Sequence, residues 1–334
     1  MKTIKSYIYE LHGPKKLELI KEDVKIESDN DVLAETYYSA ISPGTELSAW
    51  LGKPPLRPSK VYPRLQGYCN IARVLEVGKS VESIHPGDWI LTHQSHRSHF
   101  RVAAKDILIC IKDLDRTDAK KIVTTYLFHL GYSALLKGGY FPGHKVSIVG
   151  LGSLGYAATS LVSLFGGSPV VFTSQKNRES LFNNMHVSTV QKNDACTQND
   201  LFQTFDLSII TSDSWEDYLL ALNLLRTGGV GVLLGFPGRG LPLPKFNPLD
   251  SSLLYDKQLS LKYTGYVTEA DVSEIDVRFT LKRNIKFLSD LILDERLDTL
   301  PFTELCCDWK ELGNMYELIN NRQTDALTGI LEWN

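Results

Sequence analysis

Apolar and polar positions divide this chain into two regimes. From residue 1 to about 118 the apolar residues come in short runs broken by polar ones. Val32-Leu33-Ala34-Glu35-Thr36-Tyr37 and Ile71-Ala72-Arg73-Val74-Leu75-Glu76-Val77 are examples, with Gly, Pro, Asp and Ser between such runs. Alternation bounded by turn residues predicts half-buried strands. His85-Pro86-Gly87-Asp88 reads as a turn, and Trp89-Ile90-Leu91-Thr92 as a strand leaving it. From about residue 119, helical patterns alternate with solidly apolar runs. Lys145-Val146-Ser147-Ile148-Val149, Pro169-Val170-Val171-Phe172-Thr173, Phe205-Asp206-Leu207-Ser208-Ile209-Ile210, residues 228–235 and residues 259–263 predict strands, and residues 215–226 a helix. Helices and buried strands in that order predict an α/β fold with a doubly wound parallel sheet. The Gly- and Pro-rich stretch 239–248 reads as a loop. Beyond Gly265, a helix at about 278–293 and the last segment, 309–334, do not extend the sheet pattern. The expected architecture is discontinuous: a β-rich domain from residues 1–118 and 266–334, with a Rossmann domain, 119–265, inserted between its parts.

Gly150-Leu151-Gly152-Ser153-Leu154-Gly155 joins the first two strands of the second regime. It opens Tyr156-Ala157-Ala158-Thr159-Ser160-Leu161-Val162-Ser163-Leu164-Phe165, which reads as a helix ended by Gly166-Gly167. A lone GxGxxG says little, but strand, glycine turn, helix and strand at this spacing form a βαβ unit. The first glycine permits the tight turn, the second lets backbone approach a pyrophosphate, and the third lets the helix pack on the sheet. Phosphates then sit on a helix N-terminus, where free N–H groups and the dipole favour an anion. Gly150, Gly152, Ser153, Leu154 and Gly155, with Gly235 at the end of a later strand, are the expected cofactor-binding positions. An acidic residue at the tip of the second strand would hold a ribose 2′-OH and select NAD. Here the strand runs into Ser174-Gln175-Lys176-Asn177-Arg178, with no carboxylate. Ser174, Lys176 and Arg178 suit a 2′-phosphate, which a guanidinium can bind through two parallel hydrogen bonds. The bland alternative is that Lys176 and Arg178 solvate the start of the next helix. NADP(H) is the expected cofactor.

Composition narrows the class. At 334 residues there is room for two domains, and 43% hydrophobic with 22% charged residues is ordinary for a globular protein. A net charge of −3 without a basic face argues against nucleic acid as partner. No segment approaches the ~20 apolar residues of a membrane helix. The first residues lack the apolar stretch of a signal peptide, and five cysteines, an odd number without paired spacing, fit a reducing cytoplasm. A cytoplasmic location, no membrane association and a small-molecule substrate are the expectations.

Several segments together resemble the medium-chain dehydrogenase/reductase superfamily over nearly the whole chain. Ala40-Ile41-Ser42-Pro43-Gly44-Thr45-Glu46 is similar to the segment that carries a zinc-ligand cysteine before Gly-Thr-Asp. Gly67-Tyr68-Cys69-Asn70-Ile71-Ala72-Arg73-Val74 is similar to the family's Gly-His-Glu segment, and His85-Pro86-Gly87-Asp88-Trp89-Ile90 to its Gly-Asp-Arg-Val turn. Ser42-Pro43-Gly44-Thr45-Glu46 with the ending Asp325-Ala326-Leu327-Thr328-Gly329-Ile330-Leu331-Glu332-Trp333 resembles a zinc-lacking branch, the bi-domain oxidoreductases and bacteriochlorophyllide dehydrogenase-like proteins. The resemblance implies a GroES-like β-rich catalytic domain beside the Rossmann domain. It also implies a homodimer that extends the nucleotide-domain sheet through its last strand, residues 258–263.

The departures carry the chemistry. Ser42 stands where the cysteine ligand would be, Tyr68 where the histidine would be, and Cys69 replaces the glutamate. Ser and Tyr are not usual zinc ligands, and the four closely spaced cysteines of a structural-zinc lobe are missing, so no metal is expected. His93-x-x-His96-x-x-His99 does not restore one, because side chains alternate along a strand and three imidazoles would not converge. Without a metal, the polarising task passes to hydrogen-bond donors or a general acid. The candidates are Tyr68, either a donor or a packed aromatic, and His96, a proton donor or substrate partner in a loop that the resemblance puts beside the substrate cleft. Glu46 either pairs with His96 or is structural, and Ser42 and Thr45 are weak donors in the same turn. Trp50, in Ala49-Trp50-Leu51, is either cleft wall or core. Two function classes stay open: a zinc-independent NADP(H)-dependent oxidoreductase acting on a carbonyl, alcohol or activated double bond, and a catalytically silent NADPH-binding sensor or scaffold.

Overall fold

A computed structural model describes residues 3–54, 61–176, 178–183, 185–197, 199–265, 267, 272–273, 275 and 277–333. The chain divides into two units, Met1–Tyr126 with Thr268–Asn334, and Leu127–Val267. The division at 126/127 falls within the helix Thr125–Gly138, a few residues beyond 118/119.

The first unit is β-rich and GroES-like. Its strands are β1 (Ile4–Leu11), β2 (Leu17–Val24), β3 (Asp31–Ala40), β4 (Arg64–Leu65), β5 (Cys69–Val77), β6 (Trp89–Thr92), β7 (His99–Ala103) and β8 (Ile109–Ile111). Alternate residues of β5 point inward, so Ala72 and Val74 are buried while Arg73 and Leu75 are exposed. β3 is the central strand, flanked by β5 and β7 on antiparallel ladders. The turn before β6 is closed by Asp88, whose carboxylate accepts the His85 backbone N–H at 2.9 Å.

The chain end returns to this unit. The helix Leu281–Leu293 starts where the Thr280 side chain accepts the Arg283 N–H, and it buries Leu281, Ile285, Leu288 and Ile292 at helical spacing. Residues 309–334 hold a second helix, Leu312–Asn320, ahead of a short strand, Ile330–Glu332, that pairs antiparallel with β3. Cys306–Asp308 lies parallel to that strand.

The second unit is a six-stranded parallel sheet. It comprises β9 (Val146–Val149), β10 (Val170–Thr173), β11 (Ser188–Gln191), β12 (Phe205–Ile210), β13 (Leu225–Leu233) and β14 (Ser260–Tyr263), in the order β11-β10-β9-β12-β13-β14. That order is the doubly wound Rossmann sheet. β11 is a strand the apolar pattern does not announce, since Ser188-Thr189-Val190-Gln191 offers Val190 alone to the core. The helix Trp215–Leu224 stops short of Arg226, and the Lys257 ammonium caps it by donating to the Leu222 and Leu225 carbonyls. No helix among the described residues is long and apolar enough to cross a membrane.

Candidate active site

Two sets of residues carry chemistry, one in each unit. In the first unit, Ser42 is the N-cap of the helix Pro43–Trp50, with Pro43 in its first turn. Proline suits that place, because its fixed φ is helical and its missing N–H would have no intrahelical partner. Glu46, one turn on and 2% exposed, reaches back to accept the Ser42 backbone N–H at 2.6 Å. Its second oxygen accepts the Tyr316 hydroxyl at 2.6 Å and lies 2.8 Å from His96 Nε2. The other ring nitrogen of His96 is 2.8 Å from Ser39 Oγ, which also accepts the Trp333 indole N–H at 2.9 Å. Gly67 makes room for the imidazole: it sits at φ +85°, and a Cβ there would stand 2.7 Å from the ring. This is a buried polar network with its members satisfied, the arrangement that fixes side chains in place.

Tyr68 borders that network. Its hydroxyl donates to Ser42 Oγ and has a long contact of 3.5 Å with Thr45 Oγ1. The Tyr126 ring meets Tyr68 edge-to-face at 5.5 Å and His93 at 4.6 Å, and His93 Nδ1 is 3.2 Å from the Tyr68 carbonyl oxygen. Burial pushes the Tyr68 phenol well above its ordinary value, and the neighbouring Cys69 adds to the rise. Tyr68 is therefore a neutral hydrogen-bond donor throughout the working pH range.

Of the sequence candidates, Ser42, Glu46, Tyr68 and His96 come together. Glu46 is the partner of His96. His96, read as a proton donor or substrate partner, is fully buried, with its ring nitrogens at Ser39 Oγ and Glu46 Oε2. Trp50 is core, 3% exposed against Tyr316. Tyr316, Ser39, Trp333 and Tyr126 carry no sequence signal as site residues, whereas His93, the other neighbour of Tyr68, stands out in the three-histidine run.

These residues do not fit a zinc ion. The three histidines go separate ways, with His93 exposed, His96 on Glu46, and His99 on β7 at 3.5 Å from Glu35. Ser42 and Tyr68, side by side in the turn, bring hydroxyls rather than the Cys, His or carboxylate groups zinc sites use. Glu46 already serves three partners. Among the described residues no group of His, Cys, Asp and Glu is placed to hold a metal.

In the second unit the glycine turn has the geometry its spacing predicts. Gly150 takes φ +106°, and a Cβ there would be 2.5 Å from Thr211 Oγ1. Gly155 packs its Cα on the turn, with a Cβ position only 2.1 Å from the Gly150 carbonyl oxygen. Gly152 differs: it is the exposed N-cap of the helix Ser153–Leu164, has no side-chain cap, and a Cβ there meets nothing within 4 Å. Open backbone at an uncapped helix start fits a pyrophosphate. Ser153 is buried and Leu154 half-buried beside it. Gly235 packs against the Ser212 carbonyl, its Cβ position 2.3 Å away, and so holds the β13 end close to the β12 end. Ser174 and Lys176 are exposed beyond β10, and Arg178 is half-buried; Asn177 lies outside the described residues.

Comparison with protein-family models gives no match. The chain is similar to cinnamyl alcohol dehydrogenase 7 of Arabidopsis thaliana, 29% identical over 165 residues that span 48% of this chain and 45% of that one. It is also similar to NADP-dependent alcohol dehydrogenase 6 of Saccharomyces cerevisiae, 28% identical over 155 residues, 44% of this chain and 42% of the other. The matched part is less than half the length of these relatives. Among solved structures, L-idonate 5-dehydrogenase from Escherichia coli superposes with a TM-score of 0.79 over 99% of both chains at 16% identity. That likeness extends over the whole fold.

Proposed function

We propose that this chain, which has the medium-chain dehydrogenase/reductase fold, is an NADP(H)-dependent oxidoreductase that works without zinc. It moves a hydride to or from a carbonyl, alcohol or activated double bond of a small organic molecule. The observation that carries the proposal is the Tyr68–Ser42 hydroxyl pair, seated on the buried Glu46. The nicotinamide, when bound, supplies or takes the hydride. The chain's part is to hold the dinucleotide on the Gly150–Gly155 turn and to steady charge on the substrate oxygen. Tyr68 donates a hydrogen bond to that oxygen, and the Ser42 hydroxyl then turns its proton onto the phenol oxygen. Glu46 fixes Ser42 through the backbone N–H, while His96 and Tyr316 fix Glu46. Ser174, Lys176 and Arg178 favour the 2′-phosphate form, and similarity to an NADP-dependent alcohol dehydrogenase supports that choice.

The test is NADPH oxidation over a panel of ketones, aldehydes and enones, with zinc measured by elemental analysis. Turnover insensitive to chelators, with no stoichiometric zinc and NADPH bound more than about tenfold tighter than NADH, is the expected result. One zinc per chain would refute the metal-free site. Tight NADPH binding with no turnover on any member would leave a sensor or scaffold.

The same reading makes the protein a cytoplasmic homodimer of the zinc-lacking branch. The free thiols of Cys69, Cys110, Cys306 and Cys307 suit a reducing compartment. β14 ends its sheet, and Tyr263 on it is 69% exposed, with Leu243 at 89% and Tyr255 at 72% in the same unit. An open edge strand with exposed apolar side chains is an association surface, and two-fold pairing is its commonest use. Light scattering at micromolar protein is expected to give twice the chain mass; a single-chain mass would refute the dimer.

A further inference from the structure

The sheet of the second unit reverses its winding between β9 and β12. Ligands of open α/β sheets bind outside the carboxyl ends of the strands at such a reversal. An ion pair that the site above does not use lies at those ends: Lys192 Nζ is 2.6 Å from Asp217 Oδ2. Lys192 is the first residue after β11, and Asp217 is in the first turn of the helix that follows β12. Three strand spacings of about 4.8 Å separate β11 from β12, so the two side chains meet across the ends of β10 and β9. Asp217 is fixed at its end of the bridge, with its carboxylate accepting the Ser212 hydroxyl and its N–H donating to Ser214 Oγ at 3.2 Å. Lys192 reaches it on a flexible four-carbon stem.

The register puts Lys192 beside the expected phosphate turn. Thr173 on β10 pairs with Gln191 on β11, so Ser174 and Lys192 are the next residues of neighbouring strands. Gln191 Nε2 donates to the Gln175 carbonyl at 3.2 Å and ties the two turns together. Ser174, Lys176, Arg178 and Lys192 therefore leave adjoining strand ends.

We infer that Lys192 is a further specificity-determining residue, its ammonium stored on Asp217 and taken over by the 2′-phosphate of NADP(H). The inference rests on the NADP(H) reading above. A phosphate dianion outcompetes a single carboxylate for a mobile ammonium, whereas NADH brings no anion to that turn and leaves the pair closed. Asp217 is thus a competitor as well as a holder, and the two partners should affect NADPH binding in opposite directions.

Calorimetric titration of the full chain with NADPH and with NADH tests this, with melting temperatures read alongside. Lys192→Ala is expected to weaken NADPH about 10- to 100-fold and to move NADH less than about twofold. Asp217→Asn, which frees the ammonium, is expected to tighten NADPH by up to about fivefold. Lys192→Met keeps the stem and is read in the same way should Lys192→Ala not fold. Arg178→Ala serves as the comparison for a phosphate contact on β10's own turn. If Lys192→Ala leaves NADPH unchanged, weakens both cofactors alike, or shares its sign with Asp217→Asn, the bridge is a structural brace and the inference is wrong. A wild-type chain that binds NADPH and NADH equally overturns the NADP(H) reading itself, a result the variants cannot mimic.

Discussion

Tyr68→Phe is expected to lower the turnover number by ~100- to 1,000-fold while NADPH affinity and melting temperature stay near those of the wild type. The range is what one hydrogen-bond donor to a developing oxyanion is worth when it acts mainly in the transition state. The substitution keeps the ring, so the edge-to-face packing on Tyr126 survives. It removes the hydroxyl that meets Ser42, and Ser42 stays fixed through its backbone N–H on Glu46. Because burial holds the phenol well above its ordinary value, Tyr68 itself should impose no alkaline fall in the wild-type pH profile. Steady-state kinetics on the true substrate decide the matter. Near-normal turnover would make the phenol structural and shift attention to Ser42 and Thr45, the remaining hydroxyls of that turn. His96 does not take its place, being enclosed between Glu46 and Ser39.

Gly152→Val is expected to weaken NADPH at least 100-fold at a cost in stability of no more than about 1 kcal/mol. A Cβ at position 152 meets nothing within 4 Å in the free protein, and the residue's φ of −101° is one any amino acid adopts. Folding should register only the loss of a favoured N-cap residue. A bound pyrophosphate would, because the valine stands over the backbone that it approaches. Losing two charge-assisted hydrogen bonds at about 1.5–3 kcal/mol each corresponds to at least a hundredfold in affinity. Gly155→Val is the contrasting variant. Its Cβ would lie 2.1 Å from a backbone oxygen, so it should destabilise the fold by at least about 1–3 kcal/mol. Fluorescence titration and thermal melts together separate the two effects. Undiminished NADPH affinity in Gly152→Val would remove the glycine turn from the cofactor site.

What the sequence determined by itself was whatever local sterics and short-range periodicity control. Trp89–Thr92 and Phe205–Ile210 are strands with the bounds their apolar runs predict. The glycine turn was legible for the same reason, since a positive φ at Gly150 and a close approach at Gly155 are needs that one residue type meets.

Only the tertiary structure decided the rest. β11 gives the core a single apolar residue, and its pairing to β10 rather than its own pattern makes it a strand. Glu46 and Tyr316 are 270 positions apart, and Ser39 and Trp333 are 294 apart. No spacing rule joins them; the antiparallel return of the chain end onto β3 does. That return closes the network around His96, bringing Tyr316 to its partner Glu46 and Trp333 to its partner Ser39. Backbone conformation is written in neighbouring residues, but the partners of a buried polar group are set by which distant elements pack against it.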